Sequence, residues 1–334
     1  MRLPLTAICG MLATPAFAAP TVLTDIAPVH GIVAAVMGDV AAPKLLLPAG
    51  TDPHSYAMRP SDAQTLSDSD VVIWVGEGLT PWLHDPIETL ATGSVLLTLL
   101  ETEGWTKRAI AKDDHDDHDD HADHDGHDDH KDHDDHADHD GHDDHADHDD
   151  HKDHDDHAGH DHGDFDPHAW LDPKIAAIWA GSVAQVLSDV DPDNAAAYSA
   201  NADAFATQMA SLSATITAQL APFAGKPVIW PHDAYGYFGD AFGITSAGTV
   251  TDINGSAPGP AHISELRDMI ANGDIACVMS DAELNPKWTD LITQGTDTAS
   301  VNIDPMGVAA PQGRDHYAAT ITTLANAITD CMTK

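Results

Sequence analysis

The amino-acid sequence predicts an α/β protein of two lobes with mainly parallel sheets, joined by one long rigid helix. Its 334 residues are too many for one compact core and suit two lobes of roughly 120–150 residues each. Short β-branched runs alternate with helical stretches in both halves, as in parallel sheets that are covered by helices. Between the halves lies an alanine-rich stretch long enough for a single helix.

The first half, from Thr21 to about Leu100, contains predicted strands with helical segments between them. One predicted helix, Ser61 to Ser69, opens with a capping-box pattern in which Ser61 is the N-cap and Gln64 stands at the third position. The predicted strands are Val22–Leu23, Lys44–Leu47, Val71–Val75 and Ser94–Leu99.

The connecting helix is predicted from Asp193 to Leu220, with Pro192 before it and Pro222 after it. About 28 residues at 1.5 Å per residue give a length of about 40 Å. Large side chains recur along it at helical spacing, at Tyr198, Phe205, Met209, Leu212 and Ile216. The expected boundaries are therefore 19–192 for the N-terminal lobe, 193–222 for the connecting helix and 223–334 for the C-terminal lobe.

The second half repeats the alternation of strands and helices. Three segments are predicted as strands: Pro227–Trp230, Ile275–Ser280 and Ser300–Ile303. Three segments are predicted as helices: Ile263–Asn272, Pro286–Thr293 and Tyr317–Met332.

The N-terminal segment resembles an export signal. Arg2 gives a positive start, Leu3 to Phe17 is apolar, and Ala16-Phe17-Ala18 supplies a small-x-small cleavage pattern. We predict a signal peptide over residues 1–18 that is cleaved near Ala18, with an N-terminal core helix as the alternative. No later stretch approaches the roughly 20 apolar residues of a membrane span. The mature protein is therefore expected to be soluble in the periplasm.

Three cysteines are present, and Cys9 falls within the predicted signal. Removal of Cys9 leaves Cys277 and Cys331, an even pair in an oxidising compartment. We predict a disulfide between them, with two buried free thiols as the alternative. A zinc site built on this pair is less favoured, because no C-x-x-C spacing exists.

The segment 113–164 differs in kind from the rest of the chain. Its 25 aspartates and two lysines carry −23 of the formal net charge of −41, and it has no large apolar side chains to bury. We therefore expect a disordered insertion in the N-terminal lobe. The acidic balance of the remaining chain argues against nucleic-acid partners, which need basic patches.

Histidine recurs in this segment at every third position from His115 to His160. Imidazole and carboxylate groups bind zinc and similar ions, but a flexible chain imposes no geometry and gives little selectivity. We expect weak, exchangeable accessory metal sites that lose their ions as imidazoles protonate. The accessory residues are His115, His118, His121, His124, His127, His130, His133, His136, His139, His142, His145, His148, His151, His154, His157, His160 and His162.

Three histidines outside this segment are better candidates for a selective site. His54 and His232 each follow a predicted strand, and His168 lies in a turn before a predicted helix. Asp304 follows the last predicted strand. Ligands of α/β proteins bind at the carboxyl ends of parallel strands, and three nitrogens with one oxygen suit tetrahedral zinc. These four residues are the predicted metal ligands.

At these residues the sequence resembles the bacterial periplasmic zinc- and manganese-binding proteins that feed ABC transporters, and specifically the high-affinity zinc-uptake branch. The resemblance covers essentially the whole mature chain. The matching stretches are GTDPHSYAMRPSD (50–62), VIWVGEGLTPWL (72–83), DPHAWLDP (166–173), HDAYGYF (232–238) and IDPMG (303–307).

This resemblance implies a metal cleft between two α/β lobes, with His54 and His168 from the first lobe and His232 from the second. A histidine as the third metal ligand, here His232, is typical of the zinc branch. A His/Asp-rich loop before the second ligand is typical of it as well. The family's disulfide in the second lobe matches Cys277 and Cys331. One departure is Pro53, which stands where some zinc members carry a glutamate, and it shifts the fourth position to Asp304 or a water.

The expected function is capture of Zn²⁺ and its delivery to the membrane permease of an ABC-type importer. The alternatives are a periplasmic zinc buffer and a metal-binding adhesin, because the histidine-rich segment 113–164 alone would suffice for either function. A zinc hydrolase would need an open water position beside a general base. No Glu or His follows a predicted ligand at a spacing that suggests such a base, so we expect no enzyme activity. The expected partners are Zn²⁺, the permease and a periplasmic metal chaperone, and the protein is expected to be a monomer that binds no nucleic acid.

Overall fold

The computed structural model describes residues 19–110, 165–281 and 285–334, which form two four-stranded sheets covered by helices. All the strand pairs in both sheets are parallel, as predicted. The predicted signal peptide and the predicted accessory histidines lie outside the described residues. Within the described residues, the helices fall short of the length and apolar character that a membrane crossing requires.

The first lobe is built on a sheet with strand order β2-β1-β3-β4. Its strands are β1 (Val22–Thr24), β2 (Lys44–Leu45), β3 (Val71–Trp74) and β4 (Val95–Thr98). Its helices are α1 (Ala27–Met37), α2 (Pro60–Ser67), α3 (His84–Leu90) and α4 (Pro173–Val190). The central strand β3 is buried along its whole length, so both faces of the sheet are covered.

The second lobe repeats this topology with strand order β6-β5-β7-β8. Its strands are β5 (Pro227–His232), β6 (Thr245–Thr251), β7 (Cys277–Asp281) and β8 (Ser300–Ile303). Its helices are α6 (Gly236–Phe242), α7 (Pro260–Ala271), α8 (Lys287–Thr293) and α9 (His316–Met332). The predicted disulfide is confirmed: Cys277 of β7 is bonded to Cys331 of α9, with 5.9 Å between their Cα atoms.

A single helix, α5 (Ala195–Leu220), joins the lobes over 26 residues. Four of the five large side chains in its predicted apolar stripe are buried, and Leu212 is partly buried against the same core. The helix also hydrogen-bonds to neighbours along its length. Asn201 donates to the carbonyl of Val36 in α1 at 3.0 Å, and Gln219 donates to Asn326 in α9 at 3.0 Å.

The two lobes share one hydrophobic core. It contains buried residues of α1, α4, α5 and α9 and of both sheets, while a smaller cluster fills the other face of each sheet. Helices α1 and α9 approach so closely that a Cβ at Gly31 would lie 2.9 Å from the backbone nitrogen of Tyr317. Because separating the lobes would expose this core to water, packing opposes a wide hinge motion.

The structure corrects the predicted start of α2. The helix begins at Pro60, one residue earlier than expected, and the Asp62 carboxylate accepts the backbone N–H of Arg59 at 2.9 Å. Ser61 is therefore inside the helix and is not its N-cap. Proline suits the first helical position because its missing N–H would have no helical partner there.

Candidate metal centre

The three predicted histidine ligands meet at one place between the lobes. His54 lies in the loop after β2, His168 precedes a short 3₁₀ turn that leads into α4, and His232 is the last residue of β5. One ligand nitrogen from each ring can be chosen so that all three lie within 4.8 Å of one another. The structure therefore brings together the three histidines that the sequence analysis selected as candidate ligands.

The three rings lie close to one another. The Nε2 atoms of His54 and His168 are 3.3 Å apart. The His232 ring centroid lies 5.3 Å from that of His168 and 6.4 Å from that of His54. His168 and His232 are buried, with exposed fractions of 2% and 6%, and His54 is half-buried at the mouth of the cleft.

His168 is oriented by Asp166, two residues before it. One carboxylate oxygen, Oδ1, lies 2.8 Å from His168 Nδ1 and also accepts the His168 backbone N–H at 2.9 Å. A carboxylate can only accept, so the proton of the neutral ring is on Nδ1 and Nε2 presents its lone pair to the cleft. Sequence reasoning had not assigned Asp166 this role, although its place in the segment DPHAWLDP was noted.

His232 has a carboxylate behind it as well. Asp281, the last residue of the neighbouring strand β7, is buried, and its Oδ2 lies 3.8 Å from His232 Nδ1. The Tyr235 hydroxyl donates to the same oxygen at 2.9 Å. The sequence analysis assigned no role to Asp281. The position of Asp281 at the end of the strand beside that of His232 is the signal that could have found it.

The loop that carries His54 is held by its own neighbours. The Asp52 carboxylate accepts the backbone N–H of His54 at 2.9 Å, and Trp82 donates from its indole to the carbonyl of Pro53 at 2.8 Å. Trp82 also packs edge-on against Tyr56, with ring centroids 5.1 Å apart. These contacts fix the loop on both sides of the histidine.

Burial keeps the imidazoles of His54 and His232 neutral. Burial, and next the charge of His168, lowers the pKa of His54 from 6.5 to about 4, while Asp52 and Asp252 partly oppose this shift. Burial, and next the charges of His168 and His54, lowers the pKa of His232 well below its ordinary value. A metal ion binds the deprotonated ring, so both rings are ready to bind at neutral pH.

Asp304 does not join the three histidines in this group. Its Oδ1 accepts the backbone N–H groups of Met306 at 3.1 Å and Gly307 at 2.7 Å, which closes the turn after β8. Gly307 adopts the left-handed conformation there, with φ of 69°. In this arrangement Asp304 stabilises a turn that lines the cleft, and the predicted fourth ligand is not brought to the metal position.

The remaining histidines of the described chain have other surroundings. Ring nitrogens of His30, His262 and His316 lie within 3.2 Å of backbone carbonyl oxygens. His84 forms a second compact group with Asp85 and Glu88 on α3, where the two carboxylates are exposed and His84 is half-buried. The tryptophans that flank the ligand segments, Trp74, Trp170 and Trp230, are buried as packing residues.

Comparison with known proteins identifies relatives along nearly the whole chain. The family model described as "Zinc-uptake complex component A periplasmic" matches residues 22–331. The high-affinity zinc uptake system protein ZnuA of Paracoccus denitrificans is 42% identical over 332 residues, covering 99% of this chain and 97% of the relative. The protein of the same name from Haemophilus influenzae is 36% identical over 327 residues, covering 97% of this chain and 96% of the relative.

Solved structures show the same fold at lower sequence identity. A crystal structure of ZnuA superposes with a TM-score of 0.71 at 18% identity, covering 94% of this chain and 99% of that one. A second structure is that of the laminin-binding protein of Streptococcus agalactiae, described as bifunctional with adhesin and metal transporting activity. It superposes with a TM-score of 0.70 at 18% identity, covering 94% of this chain and 99% of that one. Two α/β lobes joined by one long helix are thus an architecture that this chain shares with solved proteins.

Proposed function

Because the chain belongs to the family of periplasmic zinc-uptake complex components, we propose that it captures Zn²⁺ in the periplasm and delivers it to the membrane permease of an ABC-type importer. The proposed ligands are His54, His168 and His232. Zn²⁺ is the cargo of this protein, and no catalytic step is proposed.

One distance carries this proposal. Two nitrogens that each lie 2.0–2.1 Å from a tetrahedral zinc ion are separated by about 3.3–3.4 Å. The Nε2 atoms of His54 and His168 are 3.3 Å apart. The two rings therefore already have the spacing of two zinc ligands, and His232 approaches from the second lobe to supply the third.

The fourth position is proposed to be filled by a water molecule. Asp304 lies outside the histidine group and caps its own turn through Oδ1, so its coordination would require the side chain or the turn at Met306 and Gly307 to move. Three neutral histidines and one water complete a tetrahedral shell without that cost.

Metal binding is proposed to order the cleft locally and not to swing the lobes. Ligands come from both lobes, so the ion couples them. The shared core and the helix α5 restrict their relative motion. The ordering should therefore be confined to the segments around His54, His168 and His232.

Deletion of residues 113–164 tests the proposal, with zinc affinity and stoichiometry measured against a competing chelator. We expect one tight site to remain while the total number of bound ions falls, because the accessory histidines are removed. Loss of the tight site would instead support a periplasmic zinc buffer. Zinc import by cells that produce the full chain with His168→Ala should fall, which tests delivery as well as capture.

Export is proposed to occur through the N-terminal segment, with cleavage near Ala18. Sequencing the N-terminus of the protein recovered from the periplasm tests this assignment. A mature chain that begins close to Ala19 is expected, and a chain that retains Met1 would refute it.

A further inference from the structure

One arginine of the first lobe contacts both lobes beside the metal centre. The backbone N–H of Arg108 donates to the hydroxyl of Tyr237 at 2.8 Å, and its Nη1 donates to the Asp240 carboxylate at 3.0 Å. Both partners belong to α6, the helix that begins four residues after His232. A Cβ at Gly236, the first residue of α6, would overlap the Arg108 guanidinium, so any side chain there would displace the guanidinium.

The same arginine also contacts the carboxylate that orients His168. The backbone carbonyl of Arg108 accepts the N–H of Asp166 at 2.8 Å, and its Nε lies 3.7 Å from Asp166 Oδ2. Ala109 and Phe165 pair as an isolated antiparallel bridge next to these residues. Arg108 is thus held to Asp166 through both backbone and side chain.

Asp166 depends on this contact. Its side chain is 3% exposed, its Oδ1 is engaged by His168, and its Oδ2 is buried without a hydrogen bond. A buried carboxylate needs a compensating positive charge, and the guanidinium of Arg108 faces that second oxygen. If that charge were lost, the carboxylate could gain solvation only by turning away from His168.

We propose that Arg108 is a positioning residue for zinc capture. It holds Asp166 against His168 on one side and the helix that follows His232 on the other. It thereby sets the position of the His168 ring relative to the ligand from the second lobe. This inference rests on the proposed function, since it assigns Arg108 a role in the same metal site.

The test uses the full-length protein with Arg108→Gln. Residues that orient a metal-binding histidine typically contribute 10–100-fold to affinity, so we expect the zinc affinity to fall by about tenfold and zinc release to accelerate correspondingly. The d–d absorption spectrum of one equivalent of Co²⁺ should also change, because the geometry of the His168 ligand is altered. Arg108→Lys should recover part of the loss by restoring a positive charge near Asp166.

Arg314→Gln is the matched control. Arg314 pairs with Asp39 at 2.6 Å, and this exposed pair lies on other elements of the fold. It should leave affinity, release rate and cobalt spectrum as in the wild type. Asp240→Asn removes the side-chain partner on α6 only, and it should reduce affinity less than Arg108→Gln, since the contact with Asp166 remains.

Two different failures are distinguishable. If Arg108→Gln lowers the melting temperature but binds zinc with wild-type affinity, release rate and cobalt spectrum, Arg108 is only a brace between the lobes and the inference is wrong. If His168→Ala also binds zinc as the wild type does, the proposed site itself is wrong, whatever Arg108 does.

Discussion

His54 and His168 bring their Nε2 atoms to within 3.3 Å of each other, although 113 residues separate them along the chain. This spacing equals that of two nitrogens on one tetrahedral zinc ion, about 3.3–3.4 Å. Asp166 fixes the tautomer of His168, so the nitrogen that faces His54 carries a lone pair. These are the two nitrogens that we propose as zinc ligands from the first lobe.

Replacement of any one of the three histidines by alanine should lower the zinc affinity of the tight site by more than about 100-fold, since each change removes a ligand itself. His262→Ala is the control, because its ring bonds to the Thr249 carbonyl at 2.8 Å on the second lobe. Competition with a chelator at one equivalent of zinc measures the tight site separately from the accessory histidines. An unchanged affinity in His54→Ala or His232→Ala would remove that residue from the ligand set.

Asp281→Asn should weaken zinc binding by about 10–100-fold, because it removes the buried negative charge 3.8 Å behind His232 Nδ1. Tyr235→Phe removes one hydrogen bond to that carboxylate and should have a smaller effect in the same direction. Tyr198→Phe is a matched control, since its hydroxyl donates to Asp191 at 2.7 Å at the start of α5. Equal zinc affinities in Asp281→Asn and Tyr198→Phe would show that Asp281 only supports the fold.

Asp304→Asn should keep the zinc affinity within about tenfold of the wild type, well short of the loss expected for a ligand. The asparagine carbonyl can still accept from Met306 and Gly307, so the turn is preserved. Asp304→Ala removes both hydrogen bonds and should destabilise the turn by about 1–3 kcal/mol. If Asp304→Asn lost as much affinity as His168→Ala, the carboxylate would be the fourth ligand and the water assignment would be wrong.

A buried carboxyl away from the centre, Asp25, gives the protein a pH-dependent stability. Burial raises its pKa from 3.8 to about 7, although hydrogen bonds from Val75 and Ile26 oppose the shift. Because the folded pKa exceeds the unfolded one, this group's contribution to stability is complete below about pH 4 and is lost as pH rises through about 7. Asp25→Asn abolishes the titration.

Between pH 5 and pH 8 the wild type should therefore lose more free energy of unfolding than Asp25→Asn, by on the order of 3 kcal/mol. Urea unfolding without added metal at both pH values measures the difference. His54 and His232 have lowered pKa values, so their contribution to the free energy of unfolding increases as pH rises. Both histidines are present in the two proteins, so this contribution cancels in the comparison. If the free energy of unfolding changed by the same amount between pH 5 and pH 8 in both proteins, this account of Asp25 would be contradicted.

The sequence predicted those helices and strands whose residue pattern fits only one kind of secondary structure. The apolar spacing on α5 predicted the helix to within two residues at its start and at its end, and the strand positions predicted two parallel sheets. Helix α1 was not predicted because it is apolar and buried nearly all round, and such a run has no helical periodicity. Strand β6 was missed because Gly248 and small polar residues weaken its pattern at the edge of the sheet.

The same contrast holds for the metal centre. His54 and His232 follow predicted strands and His168 precedes a predicted helix, so the predicted topology already placed the three near one another. The contacts of Asp281 with His232 and of Arg108 with Asp166 join segments distant in sequence, which no local pattern specifies. Asp304 satisfied the pattern of a ligand, yet its short side chain bonds to the amides of its own turn, an arrangement that aspartate often adopts.

Anomalous diffraction at the zinc edge, from crystals of the full chain grown with one equivalent of zinc, tests the central claim most directly. The account predicts a peak between His54, His168 and His232, with one nitrogen of each ring about 2.0–2.1 Å from the ion. A cleft without a peak, while zinc occupies the exposed group at His84 or residues 113–164, would contradict it.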